Sequence, residues 1–251
     1  MVAVIPAYNE AATIRGLAER ALAHADRVVI VDDGSCDGTS DVLEALPVEV
    51  LREPVNRGKG NALRRGFRRA MALDAAAVVT LDGDGQHDPR HIDRLACVAR
   101  REPGALVIGA RDRGNHGAPR RRQRANRVAD FFIAWAAGVS LVDTQSGFRL
   151  YPRALVERLL ARRPRDGFTF ESEALIVAGR AGVPVRFVAV PSVYGSSPRR
   201  SHFRPVRDIT RITVMVAGWL LRDGFYLQGL ARARTPGPEV ERPEVQSNSS
   251  S

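Results

Sequence analysis

An α/β fold, with a mostly parallel sheet and helices on both faces, is what this sequence predicts, and three observations carry it. Short apolar runs of strand length alternate with Ala- and Leu-rich stretches of helix length, the rhythm of βα units. Several of those runs stop abruptly at Pro, Asp or Gly, as strands feeding loops do. The chain has 251 residues, with 44% hydrophobic and 26% charged, enough for one large core or two small ones.

Taken in order, Val2-Ala3-Val4-Ile5 is a buried strand stopped by Pro6. Asn9 reads as a helix N-cap, with the helix running to about Ala23. Val28–Val31 is the second strand, ending in Asp32-Asp33-Gly34-Ser35, and Asp37-Gly38-Thr39 opens a short helix through Leu46. Val48–Leu51 is a third strand, and Arg57-Gly58-Lys59-Gly60-Asn61 opens a helix that ends near Leu73. The fourth strand, Ala75 to Leu81, runs into Asp82-Gly83-Asp84-Gly85-Gln86-His87-Asp88, and Pro89 then starts a helix to about Arg101. Ala105–Ala110 is a fifth strand. Beyond a basic loop come a helix with Val128, Phe131, Phe132 and Trp135, a helix after Pro152, and a helix from Phe170-Glu171 to near Gly182. Val183–Val190 is strand-like, and a long apolar helix covers about Arg207 to Leu230. This divides the chain into a main domain at 1–205, a C-terminal apolar helix at 206–234, and a Pro-, Glu- and Ser-rich tail at 235–251 that should lack structure.

The net charge is +10 and Lys59 is the only lysine. Between Arg111 and Arg127 seven Arg face one Asp, a local surplus of six positive charges. Such charge suits phosphorylated substrates, anionic membranes or nucleic acid. Two cysteines, Cys36 and Cys97, provide no disulfide framework and suggest a reducing compartment. No signal peptide precedes the first strand, and no apolar run approaches the ~20 residues that span a bilayer.

The acidic loop after the fourth strand is the chemical centre of the sequence. In extended chain Asp82 and Asp84 share a face, Gly83 and Gly85 keep it uncrowded, and Gln86 adds another oxygen. A hard cation such as Mg²⁺ takes a few carboxylates and leaves positions for phosphate and water. A plain Asp-Gly turn is the bland alternative. Other motifs fail on their own terms. The first strand lacks the G-x-G-x-x-G of a dinucleotide fold, Gly58-Lys59-Gly60 lacks the flanking residues of a P-loop, and His87 stands where an EF-hand needs Gly. A nucleic-acid module could use the arginines, but acidic strand ends would repel a phosphate backbone unless a metal intervenes.

Ile5-Pro6-Ala7-Tyr8-Asn9-Glu10, Val31-Asp32-Asp33-Gly34-Ser35 with Asp37-Gly38-Thr39, Asn56-Arg57-Gly58-Lys59-Gly60, and Leu81-Asp82-Gly83-Asp84-Gly85-Gln86 stand in one order. That order resembles the family-2 inverting glycosyltransferases, in particular the polyprenyl (dolichyl)-phosphate mannose or glucose synthases. Gly109-Ala110-Arg111, Ser146-Gly147-Phe148-Arg149, Phe170-Glu171 and Ser201-His202-Phe203-Arg204 extend the resemblance over residues 2 to 205. It implies a GT-A fold and a metal-dependent transfer from a UDP- or GDP-linked sugar to an acceptor, with a polyprenyl phosphate expected. By the same resemblance Pro6, Ala7, Tyr8 and Glu10 line the nucleoside pocket, and Asp33 contacts base or ribose. Asp82, Asp84 and Gln86 match the triplet that binds Mg²⁺ or Mn²⁺. Lys59 is either a phosphate ligand at a helix start or a surface lysine. Arg111 and Arg149 would offer forked donors to phosphates. Asp143 and Glu171 are the candidate bases should the acceptor be a hydroxyl; a lipid phosphate needs none. Asp37 is read as structural. A sugar nucleotidyltransferase and a protein that binds anionic surfaces are the competing classes. Arginines beside Phe131, Phe132 and Trp135, and around Ile212 to Leu221, suit peripheral attachment to the cytoplasmic face of a membrane, against simple packing of those helices.

Overall fold

The computed structural model describes residues 1–111, 120–162, 169–191, 205–235 and 239–242, with side chains omitted at 111–127 and 205–209. The Arg111 side chain, the charge of the basic segment, the Ser201–Arg204 motif and the last nine residues therefore lie outside the described residues.

The strands are β1 (Val2–Ala7), β2 (Arg27–Asp32), β3 (Glu49–Arg52), β4 (Ala77–Thr80), β5 (Leu106–Arg111), β6 (Arg149–Pro152), β7 (Val185–Val190) and β8 (Val240–Glu241). They form one sheet in the order β3-β2-β1-β4-β6-β5-β7-β8, in which only β6 runs antiparallel to its neighbours. The helices are α1 (Ala11–Ala21), α2 (Lys59–Ala72), α3 (Ile92–Arg101), α4 (Arg120–Ala137), α5 (Arg153–Leu160), α6 (Thr169–Arg180), α7 (Pro205–Arg222) and α8 (Leu227–Ala233).

Alternation along each strand sorts the core into two layers. On β1, Ala3, Ile5 and Ala7 join α1 and α3 on one face. Val2 and Val4 join α2, and α4 to α7 continue that layer on the other. Both faces are covered, which is why the strands read as continuous apolar runs. A buried Arg64 on α2 ties two helices of that second layer together, donating to the carbonyls of Leu159, Leu160 and Arg162 at and just beyond the end of α5. Cationic donors suit a helix C-terminus, whose last carbonyls lack partners.

Several expectations change in detail. Asn9 does not cap α1: it has φ 55°, and the helix starts two residues later. The free N–H of Ala11 instead donates to Asp37 Oδ2, so the cap arrives from the neighbouring loop. That loop holds only a three-residue 3₁₀ turn, Asp41–Leu43, because Asp37 and Ser40 spend their side chains on other partners. Strand β6 was not anticipated. At four residues ending in Pro it carries no periodicity, and pairing with β4 and β5 is what extends it. The long C-terminal helix breaks at Asp223–Tyr226, where Gly224, Phe225 and Tyr226 all have positive φ. Within the tail expected to lack structure, Val240 and Glu241 pair with β7, and Glu241 meets Arg101.

Candidate active site

The carboxyl ends of β1, β2 and β4 lie side by side, so the loops that follow them are forced together, the place where open α/β sheets bind ligands. Their fit depends on Gly83. A Cβ there would meet the Pro6 carbonyl at 2.9 Å and Ala7 Cα at 3.4 Å, so any side chain would push the acidic loop off β1. Thr13 on α1 fixes the same glycine, donating to its carbonyl at 2.9 Å. Pro6 and Ala7 are buried, while Tyr8 and Glu10 are half-buried at the loop's mouth. Glu10 accepts from Thr13 Oγ1 at 3.2 Å, and its N–H donates to Thr39 Oγ1 at 2.9 Å. Beside this region Gly34, Ser35, Arg52, Glu53 and Pro54 line an open cleft of about 390 Å³.

The aspartates after β2 serve the backbone. Asp32 is buried and accepts from the Ser35 N–H at 2.8 Å and from Ser40 Oγ. Asp33, expected against base or ribose, is also buried; its oxygens take the N–H groups of Arg57 at 2.8 Å and Gly58 at 2.7 Å. Burial pushes its carboxyl above the usual range, and those two donors oppose the rise. Asp33 thereby positions the loop that opens α2.

The aspartates after β4 are placed differently. Asp82 and Asp84 are each half-buried, and Gln86 is exposed with its N–H donating to Asp84 Oδ1 at 3.0 Å. Lys59, delivered by the start of α2, brings its ammonium 2.5 Å from Asp82 Oδ1 and 3.1 Å from Glu171 Oε1. Its side chain is only 18% exposed, so it is not a surface lysine. Burial alone would lower its pKa, but the two carboxylates outweigh that and hold it above the ordinary lysine value. Glu171, in the first turn of α6, is thus joined to the acidic loop through Lys59. Gly147 backs Asp82: a Cβ there would lie 2.5 Å from Oδ1 and 2.6 Å from Oδ2. Buried His87 stacks beside Phe148 at 5.4 Å and belongs to the loop's packing.

Two expected residues are built into the scaffold instead. Arg149 was expected to grip a phosphate, but it is fully buried. Its Nε donates to the Ser146 carbonyl, Nη1 to that of Glu171 and Nη2 to that of Thr144, at 2.7, 2.7 and 2.8 Å. Those three carbonyls leave it no accessible edge; it ties loop 143–148 to the start of α6. Asp143, a candidate base, is equally buried and accepts from the Gln145 N–H at 3.1 Å. Asp130 on α4 and Thr80 on β4 hold the same loop, through Thr144 and the Gly147 carbonyl at 2.7 Å. Neither stands in a recognisable motif, so no local signal in the sequence pointed to them.

Among the described residues no group of three or more His, Cys, Asp or Glu is arranged to hold a metal ion. The pair Asp82 and Asp84 still fits one kind of ion. Mg²⁺ and its relatives take one or two carboxylates and complete their shell with phosphate and water. A lysine ammonium already sits against Asp82, which shows that this edge favours a cation.

A mixed sheet with Asp-Gly loops converging at its carboxyl edge defines an α/β protein of the kind that binds ligands at that edge, and comparison narrows the class. The family model described as glycosyl transferase family 2 matches residues 2–160, and the chain belongs to that family. It is accordingly a glycosyltransferase. The UDP-N-acetylglucosamine–dolichyl-phosphate N-acetylglucosaminyltransferase of Methanococcus voltae is 27% identical over 212 residues, covering 76% of this chain and 84% of that protein. The undecaprenyl-phosphate 4-deoxy-4-formamido-L-arabinose transferase of Serratia proteamaculans is 33% identical over 66% of this chain, which spans 52% of its length. Mannosyl-3-phosphoglycerate synthase from Rubrobacter xylanophilus superposes with a TM-score of 0.65 at 23% identity, covering 95% of this chain and 78% of that one. Glucosyl-3-phosphoglycerate synthase from Mycobacterium tuberculosis, solved with Mn²⁺, UDP and its product, gives 0.63 at 22% identity, over 88% and 78%. These structures establish the GT-A fold expected from the motifs.

Proposed function

We propose that this enzyme transfers a sugar, with inversion and with help from Mg²⁺ or Mn²⁺, from a UDP- or GDP-linked donor to a polyprenyl phosphate. The observation that carries the reading is the half-buried carboxylate pair Asp82 and Asp84 beside Lys59 at the carboxyl edge of the sheet. Asp82 and Asp84, with Gln86, would hold the ion, which when bound supplies charge for the departing diphosphate. Lys59 stays protonated and is near enough to share that charge. Pro6, Ala7, Tyr8 and Glu10 flank the loop on the nucleoside side. Holding donor and acceptor in line provides much of the rate. A lipid phosphate oxygen is already anionic, so no base has to remove a proton, and the full burial of Asp143 agrees with that. The relatives named above act, by their names, on dolichyl and undecaprenyl phosphates, and a solved neighbour holds UDP with Mn²⁺.

The test is transfer from a panel of UDP- and GDP-sugars to undecaprenyl phosphate, with the neutral polyprenol as control. Glycolipid formation from the phosphate alone, abolished by EDTA and restored by Mg²⁺ or Mn²⁺, is the expected result. Equal transfer to the polyprenol would return a hydroxyl acceptor, and with it a search for a base.

A lipid acceptor requires contact with a membrane, which we place at the cytoplasmic face. Among the described residues no helix is long and apolar enough to cross one. Support comes from the outward side of α7, where Val214 and Leu221 are 66% and 64% exposed, continuing to Phe225 and Leu227. Trp135 on α4 donates to the Phe225 carbonyl at 2.9 Å and stacks with exposed Phe132, which brings a second apolar side chain beside that segment. Apolar side chains beside basic ones suit the head-group layer. Flotation with anionic liposomes at low salt, lost at high salt, is expected; protein that stays in the soluble fraction overturns this contact.

A further inference from the structure

We infer that Lys59 is a displaceable counter-ion that keeps Asp82 from a divalent cation until a diphosphate draws it away, so that metal and nucleotide bind as a coupled pair. The inference rests on the reading of Asp82 and Asp84 as a metal and diphosphate site. Three elements converge to make it: α2 supplies Lys59, β4 leads into Asp82, and α6 supplies Glu171. Each is fixed from behind. Asp33 locks the N–H groups just before Lys59, Gly147 backs the Asp82 carboxylate, and Arg149 holds the carbonyl of Glu171.

With the frame fixed, the lysine side chain is the part that can move. Its four-carbon stem carries a compact charge with rotatable donors. That charge lies 2.5 Å from Asp82 Oδ1, where it opposes a second cation on the same carboxylate. A diphosphate carries more negative charge than the single carboxylate the ammonium would leave, giving it a better partner and the metal further oxygens. Each ligand then raises the affinity of the other, and by linkage the two effects are equal. Glu171 keeps a hold on the ammonium throughout, a positioning role that acts through Lys59.

The experiment measures Mn²⁺ affinity of the full-length chain by the signal of free Mn²⁺, with and without UDP. For Lys59→Met we expect Mn²⁺ alone to bind tighter by roughly fivefold or more, UDP alone to bind weaker, and the coupling between them to shrink. Lys59→Arg, which keeps the charge, should return Mn²⁺ affinity toward wild type. Unchanged Mn²⁺ affinity in a folded Lys59→Met protein overturns the inference while leaving the metal site standing. Wild type that binds no Mn²⁺ even with UDP overturns the site and the inference together. A second measurement needs no variant. Because Lys59 is the only lysine, ¹³C-lysine labelling gives a single Cε resonance from the wild-type chain. Mg²⁺ alone should leave it in place and Mg²⁺ with UDP should shift it. A resonance indifferent to both, or shifted fully by Mg²⁺ alone, refutes the counter-ion role.

Discussion

Two strand ends of this molecule carry almost the same letters and do different work. After β2, Asp32 and Asp33 are buried, and their oxygens are taken by N–H and hydroxyl groups of neighbouring loops. After β4, Asp82 and Asp84 stay half-buried, and Asp82 faces a lysine. The difference is one of surroundings. The first loop is overlaid by residues 55–58, and the N–H groups of Arg57 and Gly58 take the Asp33 oxygens, whereas the second leaves Asp82 and Asp84 half-buried. An aspartate matched by backbone donors is a structural part; one matched by a lysine side chain is the kind that the proposed reading assigns to a ligand.

The sharpest way to break this contrast is to neutralise one pair at a time. Asp84→Asn should lower transfer by about a hundredfold to a thousandfold, the range for losing a group that stabilises developing charge, with an unchanged denaturation midpoint. Steady-state transfer and urea titration check both halves. Arg149→Met should do the reverse. Three buried carbonyls lose their donor at once, so a stability loss of about 3 kcal/mol or more is expected in urea, before any effect on donor binding. A phosphate ligand would instead lose affinity at constant stability.

Asp33→Ala sharpens the comparison from the other side. It leaves the Arg57 and Gly58 N–H groups without their acceptor, at a cost of about 1–3 kcal/mol. Its effect on UDP affinity, read by titration calorimetry, should follow the displaced Lys59 loop. The smallest effect belongs to Asp37, whose loss as a cap for α1 costs about 1 kcal/mol in Asp37→Ala. Burial would raise the Asp37 carboxyl, but hydrogen bonds from the Thr39 side chain and the Ala11 N–H hold it below its ordinary value. That contribution is present above the usual carboxyl pKa of about 3.9 and fades as pH falls through the lowered one. Thermal midpoints of wild type and variant should therefore converge at strongly acid pH.

What the sequence determined by itself was whatever depends on near neighbours. Apolar runs such as Val28–Val31 announce strands buried on both faces, and Asp82-Gly83-Asp84 announces carboxylates at a strand end, because periodicity and turn chemistry act over a few residues. The ordered motifs also pointed to the family. Only the tertiary structure could decide which charges remain for a ligand. Lys59 meets Glu171 across 112 positions, Arg149 is consumed by the Glu171 carbonyl together with two carbonyls of its own loop, and β6 exists because β4 and β5 flank it. Each of these is a pairing of groups brought close by packing. The free energy of a buried charge is set by the partners around it, which no stretch of neighbouring residues encodes.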